Sequence, residues 1–227
     1  MPRIQDPEQL WIEMPPISRT APRRLIAFLH GAGSSPEVFA PIAVAWQLKF
    51  PGATAAVLQG LERRAEGCDW FDARDRCGLG PERVLTAANR VAARIEQLQR
   101  SLKVASADTI VVGFSQGATV ALELARSCPD RLAIVVAYAG RLACTPRSGD
   151  RIDPTVHLIH GEFDSVVPSA FGAQAYRRLR GVGADVTLDI VADEAHTIGQ
   201  ALVNLGTARV MQTLFRGRKP ACRPTLH

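Results

Sequence analysis

The sequence predicts an α/β fold, a mostly parallel twisted sheet with helices on both faces. Three observations predict it. Short apolar runs rich in β-branched residues alternate with longer amphipathic stretches, the pattern of strand-helix-strand units. Several of these runs are apolar throughout, as strands buried on both faces must be. No repeat or linker divides the 227 residues, a length that suits one core. A single domain over residues 1–215 is expected.

The elements follow in order. Leu10 to Glu13, ended by Pro15 and Pro16, suits an antiparallel edge strand, where proline is tolerated. Leu25 to Leu29 is the first core strand, and a helix over Pro36 to Lys49 opens with proline in its first turn. Ala55 to Leu58 is the next strand. Glu62 to Gly80 is polar, contains glycine and is too long for an ordinary connection, so it is read as a functional loop. The helix Glu82 to Lys103 carries its core stripe on Leu85, Ala88, Val91, Ala92 and Ile95. Strands over Thr109 to Gly113, Ala133 to Ala137, Val156 to Ile159 and Val186 to Val191 alternate with helices over Gln116 to Ser127, Ser169 to Arg180 and Thr197 to Arg216.

Charge argues against a nucleic-acid partner. The net charge is +5, but Arg216, Arg218, Lys219 and Arg223 sit in a final stretch without acids, and the rest holds 23 bases against 22 acids. Residues 216–227 therefore read as a basic, disordered tail on a near-neutral body. The longest apolar run, Leu132 to Gly140, is too short to span a membrane, and Arg3, Asp6, Glu8 and Glu13 leave no room for a signal peptide. A cytoplasmic protein is expected. Its five cysteines form no CxxC pair, although Cys68 and Cys77 bracket one loop and could close it.

The chemistry starts at Gly113-Phe114-Ser115-Gln116-Gly117. A GxSxG after a strand and before a helix is a nucleophile elbow, in which glycines two residues either side admit a strained turn that exposes the serine. Ala118, Ala121, Leu122 and Ala125 give the following helix a small face for close approach to the sheet. A serine needs a base, and the base an orienting carboxylate. His227 lies in the tail, His157 inside a strand, and His30 and His160 end strands. His196 alone follows the last strand in a loop. Asp164, past Val156 to Ile159, completes the order Ser, acid, His, with Glu162, Asp193 and Glu194 as competing acids. This is the α/β-hydrolase arrangement. The helix-opening amide of Gln116 and the amide of Ala32, in His30-Gly31-Ala32-Gly33, are the expected oxyanion donors. Caps of such hydrolases are inserted near Arg141 to Pro154, which is too short for one, so an open site is expected.

Rival readings are weaker. Gly31 and Gly33 with Glu62 resemble a dinucleotide fingerprint, but Pro36 replaces its third glycine. His160-Gly161-Glu162 looks like a zinc deaminase fragment without its PCxxC. A non-catalytic binding protein of this fold would usually lack one triad member. Peptidases sharing the fold are a further class.

Together, LHGAGSSPEVFAPIA, the WFD of Trp70 to Asp72, GFSQGA, HGEFDSVVP and the loop Ala192 to His196 resemble the carboxylesterase, phospholipase and acyl-protein thioesterase family, from about Leu25 to Leu214. Within it, the chain is most similar to small bacterial esterases. The resemblance implies a triad of Ser115, Asp164 and His196, oxyanion amides at Ala32 and Gln116, and a substrate cleft near Trp70 and Phe71, with Val167 also assigned to substrate. The alternative for Trp70 and Phe71 is an apolar anchor under the loop. The oxyanion loop departs from the family, with HGAGSS in place of a form such as HGLGD. The resulting expectation is a hydrolase of short to medium acyl esters without metal or organic cofactor. Its substrate is a small ester or an acylated carrier, with acyl-protein thioesterase or lysophospholipase activity as the alternative. Relatives commonly dimerise, so a homodimer falls within the expectation.

Overall fold

The computed structural model describes residues 11–73 and 80–216. In chain order its elements are β1 (Trp11–Met14), β2 (Arg24–Leu29), α1 (Pro36–Gln47), β3 (Ala53–Leu58), β4 (Glu62–Arg64), β5 (Gly67–Asp69), α2 (Pro81–Leu102), β6 (Thr109–Phe114), α3 (Gln116–Ser127), β7 (Ile134–Tyr138), β8 (Thr155–Gly161), α4 (Ala170–Gly181), β9 (Val186–Val191) and α5 (Gln200–Arg216). Seven strands form one sheet in the order β1-β3-β2-β6-β7-β8-β9, and β4 pairs with β5 in a separate hairpin. All pairs in the large sheet are parallel except β1 with β3, which makes the antiparallel edge.

Alternation along each strand divides the core between the two faces. In β2, Leu25, Ala27 and Leu29 point to the face covered by α2, α3 and α4. Ile26 and Phe28 point to the face covered by α1 and α5. Each fully buried Leu, Ile or Phe among them contributes roughly 1.5–3 kcal/mol. On the second face Tyr138 donates to the Leu202 carbonyl at 3.1 Å, and burial pushes its hydroxyl pKa up. A Cβ at Gly206 would lie 1.9 Å from the Tyr138 oxygen, so glycine is what lets α5 approach.

The expected elements are all present, with shifted ends. β2, β3, β6 and β8 run further than their apolar runs because ladder pairing continues through Arg24, Ala53, Thr54, Phe114 and His160. The expected α5 begins three residues later, since Thr197 N–H turns back to the Ala195 carbonyl instead of entering the helix. The stretch read as a functional loop, Glu62 to Gly80, contains the β4–β5 hairpin. Three-residue strands carry no readable periodicity, and a two-stranded ribbon needs outside support. Here Ser34 bridges to Cys68 and supplies it. Arg141 to Pro154 holds no helix or strand, so there is no cap. Leu10, Cys77, His227 and the tail from 217 onward lie outside the described residues. No helix among those described is long and apolar enough to cross a membrane.

Candidate active site

The site lies at the carboxyl ends of the central strands, where β6 delivers Ser115 into the mouth of α3. Ser115 has φ 54° and ψ −113°, a conformation that L-residues rarely adopt. Its N–H donates to the Tyr138 carbonyl at 2.9 Å, which anchors the turn to β7. The flanking glycines are required by space. A Cβ at Gly113 would stand 2.5 Å from the Gly117 carbonyl oxygen, and one at Gly117 would stand 2.2 Å from that of Leu29.

His196 Nε2 lies 3.0 Å from Ser115 Oγ, and its Nδ1 lies 2.7 Å from Asp164 Oδ2. The carboxylate accepts at Nδ1, so that nitrogen carries the proton and Nε2 is left to accept from the serine hydroxyl. The ring packs on Phe114, centroids 4.9 Å apart. Asp164 is buried, and its other oxygen accepts the amides of Val166 at 3.0 Å and Val167 at 2.8 Å. Behind it, His160 Nε2 donates to the Val167 carbonyl at 2.7 Å, and burial lowers the His160 pKa so that the ring stays neutral. The competing acids stand elsewhere. Glu162 and Asp193 are exposed, and the Glu194 carboxylate lies beside Gly199, where a Cβ would stand 3.4 Å from its Oε1.

The loop after β2 is fixed peptide by peptide. Gly60 N–H donates to His30 Nε2 at 3.0 Å, which puts the ring proton on Nδ1, 2.7 Å from the Gly31 carbonyl. Burial lowers the His30 pKa and keeps this tautomer neutral. Ser34 N–H reaches the same carbonyl at 3.3 Å. In a trans peptide the N–H points opposite to the C=O, so holding Gly31 sets the direction of the Ala32 amide. A Cβ on Gly31 would lie 3.7 Å from Ser115 Cβ, which places this peptide beside the serine. Gln116 opens α3, where its amide has no helical partner.

A family model described as phospholipase/carboxylesterase matches residues 16–205. The chain belongs to this family. It is therefore an α/β-hydrolase and a carboxylic ester hydrolase of the phospholipase/carboxylesterase kind. Esterase YpfH of Escherichia coli (strain K12) is 31% identical, over 78% of this chain and 77% of that protein. The crystal structure of esterase PE8 superposes with a TM-score of 0.81 at 29% identity, covering 88% of this chain and 96% of the other. A carboxylesterase from Mesorhizobium loti shares the fold with a TM-score of 0.77 at 20% identity, over 92% and 94% of the two chains. Acyl-protein thioesterase 1 of Gibberella zeae is 30% identical over 34% of this chain.

In this family member the segment 62–72 turns out to be a brace. Trp70 and Phe71 are 1% and 2% exposed and belong to the core, so they occupy the anchor position and not a pocket wall. The Trp70 indole donates to the His30 carbonyl at 2.8 Å. The Gln116 side chain accepts from Trp70 N–H at 2.7 Å and donates to the Phe71 carbonyl at 2.9 Å, tying the elbow to the segment. Val167, expected at substrate, has both its backbone groups committed to Asp164 and His160. The dinucleotide reading fails on geometry, because the Gly33 amide that would face a phosphate is taken by the Asp69 carboxylate at 2.8 Å. The deaminase reading fails too, since His160 is buried while Glu162 is exposed. Among the described residues no three or more His, Cys, Asp or Glu side chains are grouped so that they could hold a metal ion. The sequence reading assigned no role to His30, His160, Asp69 or the Gln116 side chain. For the two histidines the HG pairs at 30–31 and 160–161 were the available signal.

Proposed function

We propose that the protein hydrolyses carboxylic esters of short to medium acyl chains through an acyl-enzyme on Ser115. The observation that carries this reading is His196 placed between Ser115 Oγ at 3.0 Å and Asp164 Oδ2 at 2.7 Å. In the first half-reaction Ser115 Oγ attacks the ester carbonyl carbon while its proton passes to His196 Nε2. Asp164 holds Nδ1–H and stabilises the imidazolium. The carbonyl oxygen, now an anion, is held by the amides of Ala32 and Gln116, a contribution of roughly 3–4 kcal/mol per donor in such sites. The C–O bond breaks, the alcohol leaves with the proton from Nε2, and water then repeats the sequence on the acyl-serine to release the acid. Ser115→Ala is expected to abolish turnover of a nitrophenyl butyrate while leaving the circular dichroism spectrum unchanged. Undiminished hydrolysis by that variant overturns the assignment.

A second reading, thioester hydrolysis on a carrier, is favoured by the absence of a cap between β7 and β8. The same residues perform it with a thiol as leaving group. Comparing kcat/KM for matched acyl esters and thioesters decides between the two.

A further inference from the structure

The oxyanion loop meets the β4–β5 hairpin at Gly33 and Ser34, and one side chain joins them there. Gly33 sits at φ +66°, and its N–H donates to Asp69 Oδ1 at 2.8 Å. Asp69 Oδ2 accepts from Arg64 Nε at 2.6 Å. Arg64 also meets Glu62 at 3.3 Å and Asp72 at 3.6 Å, so one guanidinium gathers three carboxylates, two on the hairpin and one just after it. Beside this contact Cys68 N–H donates to the Ser34 carbonyl at 2.8 Å, and a Cβ on Gly67 would lie 2.3 Å from the Gly33 oxygen.

We propose that Asp69, oriented by Arg64, is a positioning residue for the oxyanion hole. The inference rests on the reading of Ser115 and Ala32 given above. A loop with glycines at 31 and 33 has many backbone conformations, and only a few aim the Ala32 amide at the developing anion. His30 and Ser34 hold the peptide before Ala32, and Asp69 holds the peptide after it. With both neighbouring peptides pinned, the Ala32 N–H cannot swing. The charge on Asp69 also needs its partner. A bare carboxylate one residue from the hole would oppose the oxyanion, and Arg64, in closest contact with Asp69 at 2.6 Å, offsets that charge in part while also facing Glu62 and Asp72.

These roles separate in five variants assayed with a nitrophenyl ester. Asp69→Ala removes the acceptor, and kcat falls about tenfold or more while KM stays within about twofold, because the loss is confined to the transition state. Affinity for an alkyl boronic acid, which forms a tetrahedral anion on serine, falls in parallel with kcat. Asp69→Asn keeps an acceptor oxygen and retains activity within about threefold. Arg64→Met leaves the carboxylate uncompensated and lowers kcat, and adding Asp69→Asn to it restores activity. Asp69→Ser stands in should the alanine variant fail to fold. Unchanged kcat in Asp69→Ala, or in Asp69→Ser where the alanine variant does not fold, or no recovery in the double variant, overturns the proposal. Failure of the underlying reading looks different, since Ser115→Ala would then stay active whatever happens at Asp69.

Discussion

Replacing Gln116 by alanine tests whether the elbow and segment 62–72 form one unit. Gln116 is 7% exposed, and its side chain satisfies two backbone groups, the Trp70 N–H at 2.7 Å and the Phe71 carbonyl at 2.9 Å. Both residues are almost completely buried, so bulk water cannot take over either bond. An unsatisfied buried group costs about 1–3 kcal/mol, and two of them would cost about 2–6 kcal/mol before relaxation. Partial opening of the segment will recover some of that by admitting water, so a net loss of roughly 3 kcal/mol is expected. The assay is urea unfolding at neutral pH, with the midpoint shift multiplied by the m-value. Gln116→Met is the matched control, since it fills the space but makes neither bond and should lose nearly as much. A loss below about 0.5 kcal/mol in both variants would refute the reasoning, because it would mean that neither backbone group depends on the amide.

Two further outcomes are expected. His157 is buried between the hydroxyls of Thr187 and Thr213, and burial lowers its pKa to about 4 from 6.5. The unfolded chain binds a proton there first, so the stability is fully present above pH 6.5 and drains as pH falls toward 4, by about 3 kcal/mol from this group alone. Urea midpoints at pH 7 and 4.5 should differ markedly less in His157→Gln. Gly117→Ala puts a methyl against the Leu29 and His30 carbonyl oxygens, at 2.2 and 2.6 Å. It should destabilise by about 2–3 kcal/mol and depress ester hydrolysis as α3 is pushed off β2, which thermal melts and a nitrophenyl assay would register.

What could be read in the sequence was whatever depends on near neighbours in the chain. Strands such as β6 and β9 show in their apolar runs, and α3 shows in its small face and its start after Ser115. The expected triad residues sit at strand ends, so their chain order already carried their relation. The brace was not legible for the opposite reason. Asp69 meets Gly33 and Gln116 meets Trp70 across long stretches of chain, and neither pair makes a local pattern. Trp70 and Phe71 illustrate the same limit. An aromatic pair in a polar loop suits a pocket wall or an anchor equally, and only their burial separates the two. The late start of α5 likewise depends on a turn at Thr197 that no cap residue announced.

The backbone angles of Ser115 have a consequence for how the molecule can improve. A residue held there costs of order 1–3 kcal/mol, which the β7 anchor and the glycine contacts must offset. Glycine would adopt those angles with little cost, so Ser115→Gly is expected to raise stability while removing the hydroxyl that the proposed mechanism uses. On the proposed mechanism, the serine at these angles trades stability of the fold for turnover, so a search for stabilised variants that does not assay hydrolysis is expected to accept glycine here.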